Sequence, residues 1–139
     1  MTTSKQQKNR VLKQIGDLQT RLAAPAKAGV PAHMAKVSKA QLRDRIASLQ
    51  AEVAEFDEAC RADIHSLAFD NLPEMFKLPI KVRLATGQSI PDFARKINVS
   101  PSTLKRYEAL EYANAPAEVL QTILNTYGLT VSGHTSEAA

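Results

Sequence analysis

The sequence holds a single cysteine, Cys60, and no tryptophan. One thiol cannot close an intrachain disulfide. His33, His65 and His134 have no partner at metal-ligand spacing, so neither a metal nor a cofactor is expected. Aromatics make up only 5% of the chain and β-branched alternation is missing. Ala, Leu, Lys, Gln and Glu are frequent instead, which sets aside a sheet-rich fold and points to an all-α chain. No apolar run approaches membrane-spanning length. The polar start MTTSKQQKNR is not followed by the apolar core of a signal peptide, so a soluble, cytoplasmic protein is expected. Gly-rich phosphate loops and nucleophile elbows are missing too. Glu52, Glu55, Asp57 and Glu58 decorate the polar side of a helical pattern, as a solvated face does. No catalytic constellation can be assembled, so the expectation is not an enzyme.

What is present is positive charge, unevenly placed. The net charge is +4 with a sequence pI of about 9.3, which admits polyanions as partners. Residues 1–41 hold eight Lys/Arg and one Asp, and residues 42–70 hold three Arg and seven Asp/Glu. Residues 71–131 hold seven basic and five acidic side chains.

Apolar spacing predicts a helix from about Ser4 to Ala24, with Val11, Ile15, Leu18 and Leu22 in one narrow stripe. Gly16 inside it costs roughly 1 kcal/mol relative to alanine, so this helix leans on a partner. PAKAGVPAHMAKV, residues 25–37, reads as a flexible loop. Ser38 then reads as the N-cap of a long helix reaching about Leu67. Leu42, Ile46, Leu49, Val53 and Phe56 form a short heptad seam, continued by Cys60 as a packed residue. Two arrangements fit this seam: a hairpin with the first helix, or a coiled-coil contact with a second copy or another partner. Residues 1–70 are therefore read as an N-terminal helical arm.

Asn71-Leu72-Pro73 closes the arm and opens the next helix. Residues 74–85 read as helical, burying Met75, Leu78, Val82 and Leu84, with Pro79 splitting the segment near Leu78. Lys81 and Arg83 read as surface charges. Ser89 caps a helix that turns Phe93, Ala94 and Ile97 inward. Asn98 supplies a turn that needs positive φ. Ser100 caps the following helix, Pro101 opens it, and Leu104 and Tyr107 face the core. A last helix from about Pro116 to Tyr127 buries Val119, Leu120, Ile123 and Leu124, and Gly128 ends it. Residues 132–139 read as a disordered tail.

The stretch IPDFARKINVSPSTLKRYE, residues 90–108, is thus two short helices around a tight turn. Ala94 permits their close crossing, Val99 plugs the gap beneath the turn, and Leu104 and Tyr107 anchor the second helix. Ser102, Thr103, Lys105 and Arg106 remain on its outer face. Short hydroxyls at a helix N-terminus can hold phosphate, and the two cations can reach guanine edges or the backbone.

These residues resemble the motif of the Xre/Cro-type helix-turn-helix domain, with Phe93, Ala94, Ile97, Val99, Ser100, Leu104 and Tyr107 in its slots. The stretch from Leu78 to Val131 resembles the five-helix, lambda-repressor-like domain as a whole. LQAEVAEFDEA, LPEMFKLPIKVRLATGQS and KRYEALEYANA together resemble bacterial regulators in which a coiled-coil-like segment precedes the Xre domain, many of them antitoxin-type repressors. The resemblance implies an Xre-type DNA-binding domain over residues 71–131. It also implies a homodimeric repressor of double-stranded DNA, or a protein whose arm binds a cognate toxin. Ser89, Ser100, Ser102, Thr103, Lys105, Arg106, Tyr112 and Asn114 are the candidate DNA contacts. Ile90 stands where the family often carries Gln, so readout falls mainly to the second helix of the motif.

Overall fold

The computed structural model describes residues 1–138, and among them all regular secondary structure is helical. Contacts divide the chain into two units, Met1–Arg61 and Ala62–Ala139. No helix of the described residues is long and apolar enough to cross a membrane.

The first unit is a helical hairpin of α1 (Lys5–Ala23) and α2 (Ala32–Arg61). Ser4 caps α1, its hydroxyl accepting from the Gln7 amide at 3.1 Å. The α1 stripe then does what its spacing dictates. Ile15 and Leu18 are buried against Ile46 and Leu49, with Val11, Leu22, Leu42 and Val53 packed around them. Lys8 pairs with Asp57 at 2.7 Å, which joins the start of α1 to the end of α2 and makes the hairpin antiparallel. Of the two arrangements the seam allowed, the intrachain one is present. Leu42, Ile46, Leu49 and Val53 are consumed by α1 and are not a free dimer or partner seam. Phe56, one turn further along, is buried as well.

Two expectations for this unit need correction. Helix α2 begins at Ala32, and Ser38 lies inside it. The Pro31 carbonyl accepts from the amides of Met34 and Ala35, and nothing between Pro31 and Ser38 breaks a helix, so the expected loop shortens from its far end. Cys60 is exposed rather than packed, because the buried face of α2 passes from Phe56 to Ala59, one residue before it. The lengths also differ. Nineteen residues of α1 against thirty of α2 are about 28 Å against about 45 Å at 1.5 Å per residue. The first turns of α2 therefore project past the end of α1, leaving Met34 and Val37 each 55% exposed.

The second unit starts at Ala62, ahead of the boundary expected at residue 70. Helix α2 stops at Arg61. After a 3-10 turn at Ile64–Ser66, the side chains of Ile64, Leu67 and Phe69 line an apolar groove with Leu78, Val82, Leu120 and Leu124. Helix α3 (Leu72–Phe76) is capped by Asn71, whose side chain accepts from the Glu74 amide at 2.9 Å. Pro79 does split the next stretch, sitting in the first turn of α4 (Leu78–Ala85), where its missing N–H costs nothing. Helices α5 (Ile90–Lys96), α6 (Pro101–Ala109) and α7 (Ala117–Thr126) follow. Their core is Ile80, Val82, Leu84, Phe93, Ala94, Ile97, Leu104, Tyr112 and Ile123. On α7 only Ile123 is fully buried. Val119, Leu120 and Leu124, expected in the core, are half-buried, and the last two border the groove. Residues 132–138 carry no helix; Ala139, the end of the expected tail, lies outside the described residues.

Four successive helices end the same way. After α4, α5, α6 and α7 a left-handed residue (Gly87, Asn98, Glu111, Gly128) reverses the chain. In each case the next amide reaches back to the third-last helical carbonyl: Gln88 to Arg83, Val99 to Ala94, Tyr112 to Tyr107, Leu129 to Leu124. That is the Schellman closure. Glycine makes it without strain at two of the four, and asparagine tolerates it at a third.

Candidate nucleic-acid interface

Helices α5 and α6 are held at a fixed crossing by the residues beneath them. Ala94 is fully buried and its carbonyl accepts from the Val99 amide at 3.0 Å. A larger side chain at Ala94 would force the helices apart. Asn98, at φ 60°, makes the turn as expected. Phe93 is fully buried and stacks on Tyr127 with ring centroids 5.6 Å apart. The Tyr127 hydroxyl donates to the Gln88 side chain, and Lys96 lies 5.9 Å above the Tyr127 ring, within cation–π range.

Helix α6 is anchored more firmly by a buried ion pair. Arg83 on α4 holds Glu108 on α6 through two hydrogen bonds, Nε to Oε2 at 2.6 Å and Nη2 to Oε1 at 2.7 Å. The two side chains are 6% and 3% exposed. A third Arg83 nitrogen donates to the Gln88 carbonyl at 3.1 Å. Arg83 is therefore no surface charge. The planar guanidinium matches the carboxylate edge to edge, fixing both distance and rotation of α6 relative to α4. A basic residue on one helix and an acidic one 25 positions later carries no local signal; only the full-period placement of both on inward faces could have found the pair.

The N-terminus of α6 is an ordered hydroxyl cluster. Ser100 accepts from the Thr103 amide at 3.2 Å and donates to the Thr103 hydroxyl at 2.8 Å. It also lies 3.2 Å from the Ser102 hydroxyl. Arg106 folds back along the helix and donates to Thr103 at 3.3 Å. Ser102, Lys105 and Arg106 are exposed, and Thr103 is half-buried. Ser100 and Thr103 thus serve first as the cap, while Ser102 and Lys105 present their polar ends outward. Ser89 caps α5 in the same manner, accepting from the Asp92 amide at 3.3 Å.

The loop after α6 divides the remaining candidates. Asn114 is exposed. Tyr112 is fully buried, its ring 5.8 Å from that of Tyr107, so it has no surface to offer a phosphate. The Schellman turn at Glu111 swings it inward. Burial pushes its phenol pKa well above the usual value, and the nearby Glu108 carboxylate adds to the effect. A residue not expected at the site is Arg95. Its side chain is 79% exposed and it borders an open depression with Pro91, Asn98, Val99, Ser100 and Pro101. It sits 3.6 Å from Asp92. Its position in the last turn of α5 was visible in the sequence.

Residues 81–133 match the helix-turn-helix family model. The match runs from the first turns of α4 into the segment after α7, and contains the buried anchor and the whole exposed face of α6. The comparisons with curated proteins and with solved structures give no match. The helix-turn-helix therefore rests on its own geometry and on that match, and the hairpin lies outside it.

Proposed function

We propose that this chain is a sequence-specific DNA-binding transcriptional regulator that inserts α6 into the major groove. The observation that carries the reading is the outer face of α6: Ser102, Lys105 and Arg106 are exposed on a helix whose opposite face is locked by Leu104 and the Arg83–Glu108 pair. A rigid helix with hydroxyls at its N-terminus and cations one turn later suits both phosphate and guanine contacts. Ser89, Ser100 and Asn114 lie on exposed surface around it and would add backbone contacts. The regulator would act as a repressor on a palindromic site. As a homodimer it would bind half-sites about one helical turn, roughly 34 Å, apart. Its dimer contact must use a surface other than the hairpin seam.

The test is a salt-titrated gel shift on a duplex selected by the wild-type protein. Lys105→Ala with Arg106→Ala should weaken binding, relax sequence preference and lower the salt slope by about 2. Unchanged binding by this variant would remove α6 from the interface. A second reading has its own observation. The projecting start of α2 exposes Met34 and Val37, and Val30 before it is 44% exposed, an apolar surface a toxin or other protein could cover. Copurification of a neighbouring gene's product, lost on substituting these three, would favour it.

A further inference from the structure

Charge and recognition motif sit in different units. Met1–Arg61 holds eleven Lys/Arg against six Asp/Glu, a net +5, and from Ala62 onward there are seven against eight, a net −1. Two of the latter charges, Arg83 and Glu108, are buried against each other. A helix-turn-helix unit with so little positive field gains little from the phosphate term that dominates duplex affinity.

Within the hairpin the charge is divided again, along its length. Glu52, Glu55, Asp57 and Glu58 lie near the end where α1 begins, and there Lys8 meets Asp57. Towards the other end come Arg21, Lys27, Lys36, Lys39, Arg43 and Arg45, with Asp44 the one acidic residue among them. None of these six cations makes an ion pair among the described residues. Lys36, Lys39 and Arg43 recur at helical spacing and form one stripe along the first turns of α2, Lys36 and Arg43 exposed and Lys39 half-buried, successive members about 5–6 Å apart at Cβ. The arrangement is unfavourable for the free protein. Like charges at this spacing repel by a few tenths of a kcal/mol per pair, and α2 has no acidic residue in its first turn to balance the helix dipole. An anion laid along the stripe relieves both.

We propose that this stripe of Lys36, Lys39 and Arg43 is a second, sequence-independent contact surface for the phosphate backbone of duplex DNA. It rests on the reading of the helix-turn-helix as a DNA-binding unit. The hairpin supplies affinity and α6 supplies discrimination.

The experiment is fluorescence anisotropy of the full chain on a labelled mixed-sequence duplex, titrated between about 50 and 200 mM salt. The variant carries Lys36→Gln, Lys39→Gln and Arg43→Gln, a good helix former at two exposed positions and one half-buried one, so the hairpin keeps its fold and its circular dichroism. Loss of three phosphate contacts lowers the slope of log affinity against log salt by about 2.7. The salt-induced weakening over that range is then smaller by about 40-fold. Lys105→Ala with Arg106→Ala, run beside it, lowers the slope by about 2 and also loses discrimination between sequences, which the triple variant keeps. Duplex binding by wild type with an unchanged slope in the triple variant overturns the hairpin contact and leaves the helix-turn-helix reading intact. No duplex binding by wild type overturns both.

Discussion

Removing the Glu108 carboxylate isolates what holds the recognition helix in place. Glu108→Ala leaves the Arg83 guanidinium buried without its bidentate partner. Arginine cannot shed its proton to escape. Breaking such a pair costs about 3–5 kcal/mol, while a unit of this size has roughly 4–12 kcal/mol in all. A large share of its margin would go. The paired replacement Arg83→Met with Glu108→Leu removes both charges, and should recover nearly all the loss, because apolar isosteres often match a buried ion pair. The exception is the Gln88 carbonyl, which loses the Arg83 donor at about 1 kcal/mol. The assay is urea unfolding followed by tyrosine fluorescence. All three tyrosines lie in Ala62–Ala139 and the chain has no tryptophan, so the signal reports this unit without the hairpin. A shift below about 1 kcal/mol for Glu108→Ala, or a double variant no more stable than the single one, would refute the reasoning.

Three further substitutions bear on stability. The Tyr112 hydroxyl is buried with no hydrogen-bond partner among the described residues, so Tyr112→Phe should leave stability at neutral pH unchanged or raise it by about 1 kcal/mol; a larger loss in thermal unfolding would show the hydroxyl to be satisfied. Because the folded phenol pKa is raised, the unfolded chain releases its proton first as pH passes about 10, and wild-type stability falls above that point while the phenylalanine variant falls less steeply. In the hairpin, a Cβ at Gly16 meets nothing within 4 Å, so Gly16→Ala should stabilise by about 1 kcal/mol. Leu49→Ala, at a core position 2% exposed, should cost about 2–5 kcal/mol. Since the seam closes within one chain, the helical circular dichroism of either variant should not depend on protein concentration.

Where a signal was local, the sequence was sufficient. Ser89 and Ser100 cap the helices they precede, Pro79 splits its segment, and Asn98 takes the left-handed turn. These outcomes depend on a residue and its nearest neighbours along the chain. The failures are tertiary. Arg83 reads as a surface cation until its partner 25 residues away is placed opposite it. Tyr112 reads as a loop tyrosine until the turn at Glu111 aims it inward. Ser38 has the right chemistry for an N-cap, but a helix already begun at Ala32 passes straight through it. The heptad pattern on α2 was real, yet periodicity alone could not say whether its partner was the same chain or another.

The left-handed joints after α4, α5, α6 and α7 also govern how this domain can vary. A helix closed at its end by such a joint, and at its start by a serine cap, cannot absorb a lost residue by fraying or creeping. Deleting one position between Ser100 and Lys105 would instead rotate everything after it by about 100°. Lys105 and Arg106 would turn off the exposed face and Glu108 would leave Arg83. Point substitutions on the outer face of α6 can therefore change what the helix reads, whereas changes of length within it remove reading and folding together.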